Sequence, residues 1–315
     1  MSSLFIAGNG FDLAHGIPSK YSDFRNFIIE RFPEALNYRD DIIFLEDCPD
    51  IYEDVFAAEL LLHTMDKICG EDWYDFEQAL AKIDFNDKFP KPNHKENETE
   101  EEDNALMKDY LLYMDMLSSG FINCAKRNWQ EFFRIWIKSI EESIDHQIYK
   151  AKDSLLHLFN QNDFHFITFN YTKTLQTLYG VKKVIHIHNR SGQKLIFGHG
   201  EKNVSYGMAS DSSLHISSSF LDDMVNQFKK DTESPLKKYS DFFRKLDQSV
   251  NKVYSYGFSY GKVDSIYIKK IISRISPDTI WYFTEHEAKN KEMLRVKKIK
   301  LRSYGFHGTF DVFNG

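Results

Sequence analysis

The feature that most constrains this chain is its opening. Leu4-Phe5-Ile6-Ala7 is a short apolar run that breaks at once into Gly8-Asn9-Gly10-Phe11-Asp12, with a second turn at Gly16-Ile17-Pro18. Glycine has no Cβ and tolerates positive φ, so a Gly-x-Gly turn lets the backbone come close to a ligand. After a first strand, that is where an open α/β sheet holds a nucleotide. The spacing is not the dinucleotide fingerprint, because the position of its third glycine is Leu13. No Gly-x-x-x-x-Gly-Lys-Ser/Thr run occurs either. Two readings stand at this point: a nucleotide-binding turn, or a strand-to-helix turn that simply needs two glycines.

Hydrophobic periodicity predicts the rest of the plan. Residues 3–8 read as a strand. A helix follows on Tyr21, Phe24, Ile28 and Phe32 and stops before Pro33. Residues 51–68 and 73–82 read as helices. The acidic, apolar-poor stretch 91–103 reads as a solvated loop without a chemical role. Residues 104–148 are helical in pattern, with Trp129, Phe133 and Trp136 as core candidates. Strand signals return at 164–169, 183–188 and 194–197, then at 252–258 and 279–284, with an edge strand at 296–301. Helices are expected over 214–249, 264–273 and 286–294. Alternation at both ends of the chain implies an α/β fold with a Rossmann-like, largely parallel sheet. Residues 1–32 and 150–315 would form that core, and 33–149 a large helical insertion after the first βα unit.

Composition narrows the function classes. A net charge of -7 over 315 residues argues against broad binding to nucleic acid. Cys48, Cys69 and Cys124 form no C-x-x-C pair, which fits a reducing cytoplasm and makes a zinc site or disulfide framework improbable. No signal peptide and no membrane span are expected.

The later strands end in polar residues or glycines: Asn170-Tyr171-Thr172, His186-Ile187-His188-Asn189 and Gly257-Phe258-Ser259. In a parallel sheet these ends share one edge with the Gly8-Asn9-Gly10 turn, and ligands bind there. Plainer roles compete with this reading. Asn170 suits the N-cap of a helix starting near Thr172, and Asp264 the N-cap of the next helix. His186 and His188 face the same side of a strand and suit simple packing. With His199 they could form a metal cluster, although no carboxylate stands at convincing ligand spacing.

These residues resemble a known family. Gly8-Asn9-Gly10-Phe11-Asp12, Gly16 and Tyr21-Ser22-Asp23-Phe24 look like the opening of the AbiH family of phage abortive-infection proteins. Trp73-Tyr74-Asp75-Phe76-Glu77, Phe169-Asn170-Tyr171-Thr172, His186-Ile187-His188 and the late Gly257-Phe258-Ser259 with Asp264 match it too. That family in turn is similar to the sirtuin-like NAD-binding fold. Sirtuins open with Gly-Ala-Gly-x-Ser and Gly-Ile-Pro, and their Thr-Gln-Asn-Ile-Asp matches Thr168-Phe169-Asn170-Tyr171-Thr172. Their His-Gly matches His188-Asn189, and their Gly-Thr-Ser matches Gly257-Phe258-Ser259. The departures are Asp12 for serine, Phe169 for glutamine, Thr172 for aspartate, and missing zinc cysteines, so protein deacylation is not implied.

The resemblance implies a defence protein that hydrolyses NAD or a related nucleotide as substrate, with no prosthetic group. Asn170 would position water and His188, from the side chain that changes charge near neutral pH, would be the base. Gly8, Asn9, Gly10, Asp12, Gly257, Ser259 and Asp264 would hold the nucleotide. Implied partners are a phage-derived trigger or partner protein, and a second copy of the chain is compatible. The alternatives are a non-catalytic nucleotide sensor acting through a partner, and a metal-dependent nuclease or phosphoesterase on His186, His188 and His199.

Overall fold

The computed structural model describes residues 2–37, 53–83, 108, 127–146, 148–161, 163–201 and 225–315. Among these residues six strands form one sheet: β1 (Ser2–Ala7), β2 (Phe164–Thr168), β3 (Val184–His186), β4 (Val250–Tyr256), β5 (Ile280–Thr284) and β6 (Thr309–Phe313). Their order is β3-β2-β1-β4-β5-β6, and every neighbouring pair is parallel. That is the order of a Rossmann-like α/β sheet, and its direction of winding reverses between β1 and β4.

The β1 sequence explains its central place. A strand covered by helices on both faces must be apolar on both, and every residue of β1 is buried. Leu4 and Ile6 point to one face, where they join Ile167, Val253, Trp281 and the helix Ser265–Ile272. Phe5 and Ala7 point to the other and join Phe11, Leu155, Leu175 and Tyr254. At the far edge only Phe313 of β6 is buried.

The chain divides into two compact units. The first comprises Met1–Lys20, Arg134–Phe197 and Lys230–Gly315, and it contains the whole sheet. The second comprises Tyr21–Phe133 and Gly198–Lys229. It contains the helices Tyr21–Arg31 and Glu53–Cys69 and the short helix Phe76–Ala79. Its core is aromatic: Phe24 meets Trp73, Phe76 and Phe133 edge-on at 5.4–5.7 Å between ring centroids. Arg25 grips Asp66 with two bonds of 2.8 Å, and Asp66 also accepts from the Trp73 indole at 2.7 Å. The family-like Trp73 and Phe76 are therefore core residues of this unit, whereas Tyr74 is exposed.

Several expectations need correction. Residues 194–197 are not a strand, although the Ile196 N–H donates to the His188 carbonyl at 2.9 Å. Residues 296–301 lie inside the helix Lys291–Ser303. Asn290 caps that helix by accepting from the Met293 N–H at 3.0 Å, and the run of Lys, Arg and Leu favours it. The edge strand is β6, eight residues beyond the helix positions that mimicked it. β4 starts and ends two residues earlier than its sequence pattern suggests. The 225–249 part of the expected helix breaks into short pieces, Glu233–Lys238 and Ser240–Lys245 among them. Trp129, Phe133 and Trp136 are buried on helical residues 127–145, as expected. The 91–103 stretch, Cys48 and Cys124 lie outside the described residues; Cys69 is free. Among the described residues, no helix is long and apolar enough to cross a membrane.

Candidate functional site

The registers bring the polar strand ends to one edge. Ala7 pairs with Thr168 and Tyr256, and Thr168 with His186. The residues that follow these positions are Gly8, Phe169-Asn170, Ile187-His188 and Gly257. They belong to the first unit, as do Asp12, Thr172, Lys230, Ser259 and Asp264.

The glycines are explained by the fold itself. The Gly8 N–H donates to the Tyr256 carbonyl at 2.9 Å, and the Gly10 N–H to the Gly257 carbonyl at 3.0 Å. A Cβ on Gly10 would lie 2.6 Å from the Gly257 Cα, and one on Gly8 2.6 Å from the Gly257 oxygen. Gly257 has φ +61°, where a side chain is strained. The space a side chain would take at Gly10 is thus filled by backbone from the end of β4. Asn9 ties down the next turn: its amide donates to the Ser19 carbonyl at 2.8 Å and accepts from the Ser19 hydroxyl at 2.7 Å. Asn9 and Ser259 are exposed at this edge.

Asp12 is only 1% exposed. Its Oδ2 accepts from the Thr172 hydroxyl at 2.5 Å, and Thr174 donates to Thr172 at 3.0 Å. Burial pushes its carboxyl up from 3.8 to about 6, while Thr172, Thr174 and Asn170 pull the other way. Among the described residues its Oδ1 has no hydrogen-bond partner of good geometry, nor has the buried Oδ1 of Asn170. Buried acceptors without donors are uncommon and call for an explanation. Asn170 is not the helix cap its sequence allowed. The next helix is Thr174–Tyr179, its N-cap position is Lys173, and no side chain caps it.

The two histidines of the β3 end differ in chemistry. His186 faces the Asn170 carbonyl through Nδ1 at 3.3 Å and the Gln176 amide through Nε2 at 2.7 Å. This pattern suits a neutral ring that donates from Nδ1 and accepts at Nε2. Burial lowers its pKa to about 4, in keeping with that state. His188 faces two acceptors: the Phe169 carbonyl at 3.1 Å and Asp264 Oδ1 at 3.0 Å. Each ring nitrogen is thus taken up by a protein partner, so His188 is a fixed, doubly bonded group. Asp264 sits at the N-cap position of Ser265–Ile272 yet makes no side-chain cap bond. It pairs instead with His188 and with the buried Lys230, whose Nζ is 3.9 Å away. Burial pushes its carboxyl up, but these two partners outweigh it and hold it below the ordinary value.

Sequence reasoning missed Glu141, Lys173, Gln176 and Lys230. Glu141 is buried, accepts the Lys173 backbone N–H and pairs with its Nζ at 3.0 Å. Such contacts join residues distant in sequence and leave no local signal. Among the described residues no group of His, Cys, Asp and Glu could hold a metal ion. His199 is occupied too: Nε2 faces the Val225 carbonyl at 2.8 Å, and Nδ1 accepts from the Glu201 N–H at 3.2 Å.

A sequence model of the family described as bacteriophage abortive infection AbiH matches residues 4–285. The chain belongs to this AbiH family. The match spans β1 through β5 and includes every site residue discussed above. It assigns the protein a role in abortive infection, a defence against bacteriophage. No curated protein and no solved structure matches the chain.

Proposed function

We propose that this AbiH-family protein acts in defence by hydrolysing NAD or a related nucleotide at the carboxyl edge of its sheet. One observation carries the proposal: Asp12 and Asn170, beside the β1/β4 reversal, each present a buried oxygen that lacks a donor among the described residues. Ribose hydroxyls and an attacking water are donors of the right kind. The reversal point of an open α/β sheet is also where nucleotides bind. The likeness to the sirtuin-like pattern at Gly8, Gly10, Asn170 and His188 supports the same ligand class.

The geometry supports the following roles. Asn170 Oδ1 accepts one O–H of a water and turns its lone pair toward the ribose carbon. That carbon becomes oxocarbenium-like as its bond to nicotinamide breaks, and the bonding electrons leave with the nicotinamide nitrogen. Water forms the new C–O bond, and Asp12, ionisable near neutral pH, takes its proton. His188 is a positioning residue, linking the Phe169 carbonyl to Asp264. Ser259, exposed at the edge, would hold a ribose or phosphate oxygen.

The test is loss of NAD and release of nicotinamide with purified protein, with and without extract from infected cells. Asn170→Ala should lower turnover at least a hundredfold, since orientation of the water is lost. If the wild type turns over no NAD in either condition, hydrolysis is overturned and nucleotide sensing through a partner takes its place.

A further inference from the structure

We propose that the groove beside the helix Lys291–Ser303 docks a short acidic, amphipathic segment of a partner protein. The proposal is independent of the nucleotide site. Residues 289–302 hold seven Lys or Arg and one acidic residue, in a chain whose net charge is -7. Lys297 is turned inward and paired with Glu287, so it does not contribute. Lys291, Arg295, Lys298 and Arg302 follow one another at intervals of four, three and four residues, which puts them in one stripe along the helix. At 1.5 Å per residue the stripe is about 16 Å long.

The stripe borders a groove of about 570 Å³. Leu294, Ile299 and Phe310 of β6 give the groove an apolar floor. Ile299 is 56% exposed. Arg302 lies over the Phe310 ring at 4.6 Å and Lys298 at 5.5 Å, so cations frame the apolar surface. Arg295 has an exposed partner in Glu292 at 3.7 Å, a pair weak enough for a carboxylate to displace.

An apolar floor with a cationic rim complements a helix with apolar anchors on one face and Asp or Glu on its flanks. The stripe's length fits about three helical turns of such a segment. Nucleic acid fits less well. Among the described residues Phe310 is the one aromatic lining residue on which bases could stack, and a longer polyanion would meet a net-negative molecule.

The test is to pan a random 16-residue peptide display library on the full chain and measure the selected peptides by fluorescence anisotropy. Selected sequences should carry several Asp or Glu with aliphatic or aromatic residues three and four apart. They should bind with micromolar affinity and weaken as salt rises. Ile299→Asp should weaken binding at least tenfold, and so should Lys291→Glu with Lys298→Glu. Thermal unfolding checks that each variant folds; if Ile299→Asp does not, the charge-reversal pair decides. Failure to select peptides, selection of neutral or basic ones, or affinity unchanged in the folded variants would overturn the proposal. So would tighter binding of oligo-dT or phosphatidylserine vesicles than of the peptides, if the same variants abolish it.

Discussion

On the proposed sirtuin-like reading, Asp12 and Thr172 stand where that pattern has serine and aspartate, so carboxylate and hydroxyl would have exchanged places. They bond to each other at 2.5 Å. Read singly in the sequence they are two departures; their pairing across 160 residues becomes legible only in three dimensions. Asp12 also sets a pH dependence. Its folded pKa is raised from 3.8 to about 6, so the fold favours the protonated form. The stability it contributes is fully present below the ordinary carboxylate range and is lost as pH rises through about 6. That shift corresponds to roughly 3 kcal/mol at most. Urea unfolding of the wild type and Asp12→Asn should therefore diverge between pH 4.5 and 7.5, the wild type losing stability relative to the variant as pH rises. Gly10 makes a second residue-scale case. If Gly10 only kept space open for a ligand, Gly10→Val would spare the fold. With Gly257 backbone 2.6 Å from the new Cβ, the expected outcome is a loss of about 3 kcal/mol or more, read as a large fall in unfolding temperature.

At the scale of elements, the opening strand and its turn were the most legible part of the sequence. An apolar run ending in Gly-x-Gly has few uses other than a buried central strand. The polar ends of β2, β3 and β4 were legible for the same reason, because alternation stops where the sheet stops. Val296–Leu301 misled because Val, Ile and Leu interspersed with Lys imitate strand alternation; the Asn290 cap and the buried Leu301 make it helix. The polar partners were not legible. His188, Asp264 and Lys230 come from three separate segments and meet as one polar cluster between the end of β3 and the start of Ser265–Ile272. Asp264→Ala leaves His188 and Lys230 without their carboxylate, and should cost about 3–5 kcal/mol. Because Asp264 is held below its ordinary pKa, its contribution is present above that range and lost on acidification. The gap between wild type and Asp264→Ala should thus shrink as pH falls toward 3, measured by denaturant titration.

For the whole molecule, the strand order is the strongest constraint on function. A sheet ordered β3-β2-β1-β4-β5-β6 reverses its winding between β1 and β4, and Asp12 and Asn170 follow the ends of β1 and β2 beside that reversal. Membership of the AbiH family gives the biological setting, abortive infection, and the edge of the sheet is where the proposed hydrolysis would take place. Asp12 and Asn170 are 1% and 6% exposed, so a ligand reaches them only if the surrounding chain moves, and turnover at rest should be slow. The most direct measurement is a crystal structure of the protein with ADP-ribose, the product of the proposed hydrolysis. The expected result is a ribose hydroxyl within hydrogen-bond distance of Asp12 Oδ1 and Asn170 Oδ1. ADP-ribose bound elsewhere, or no binding at millimolar concentration with those two oxygens still without donors, would contradict the proposed site.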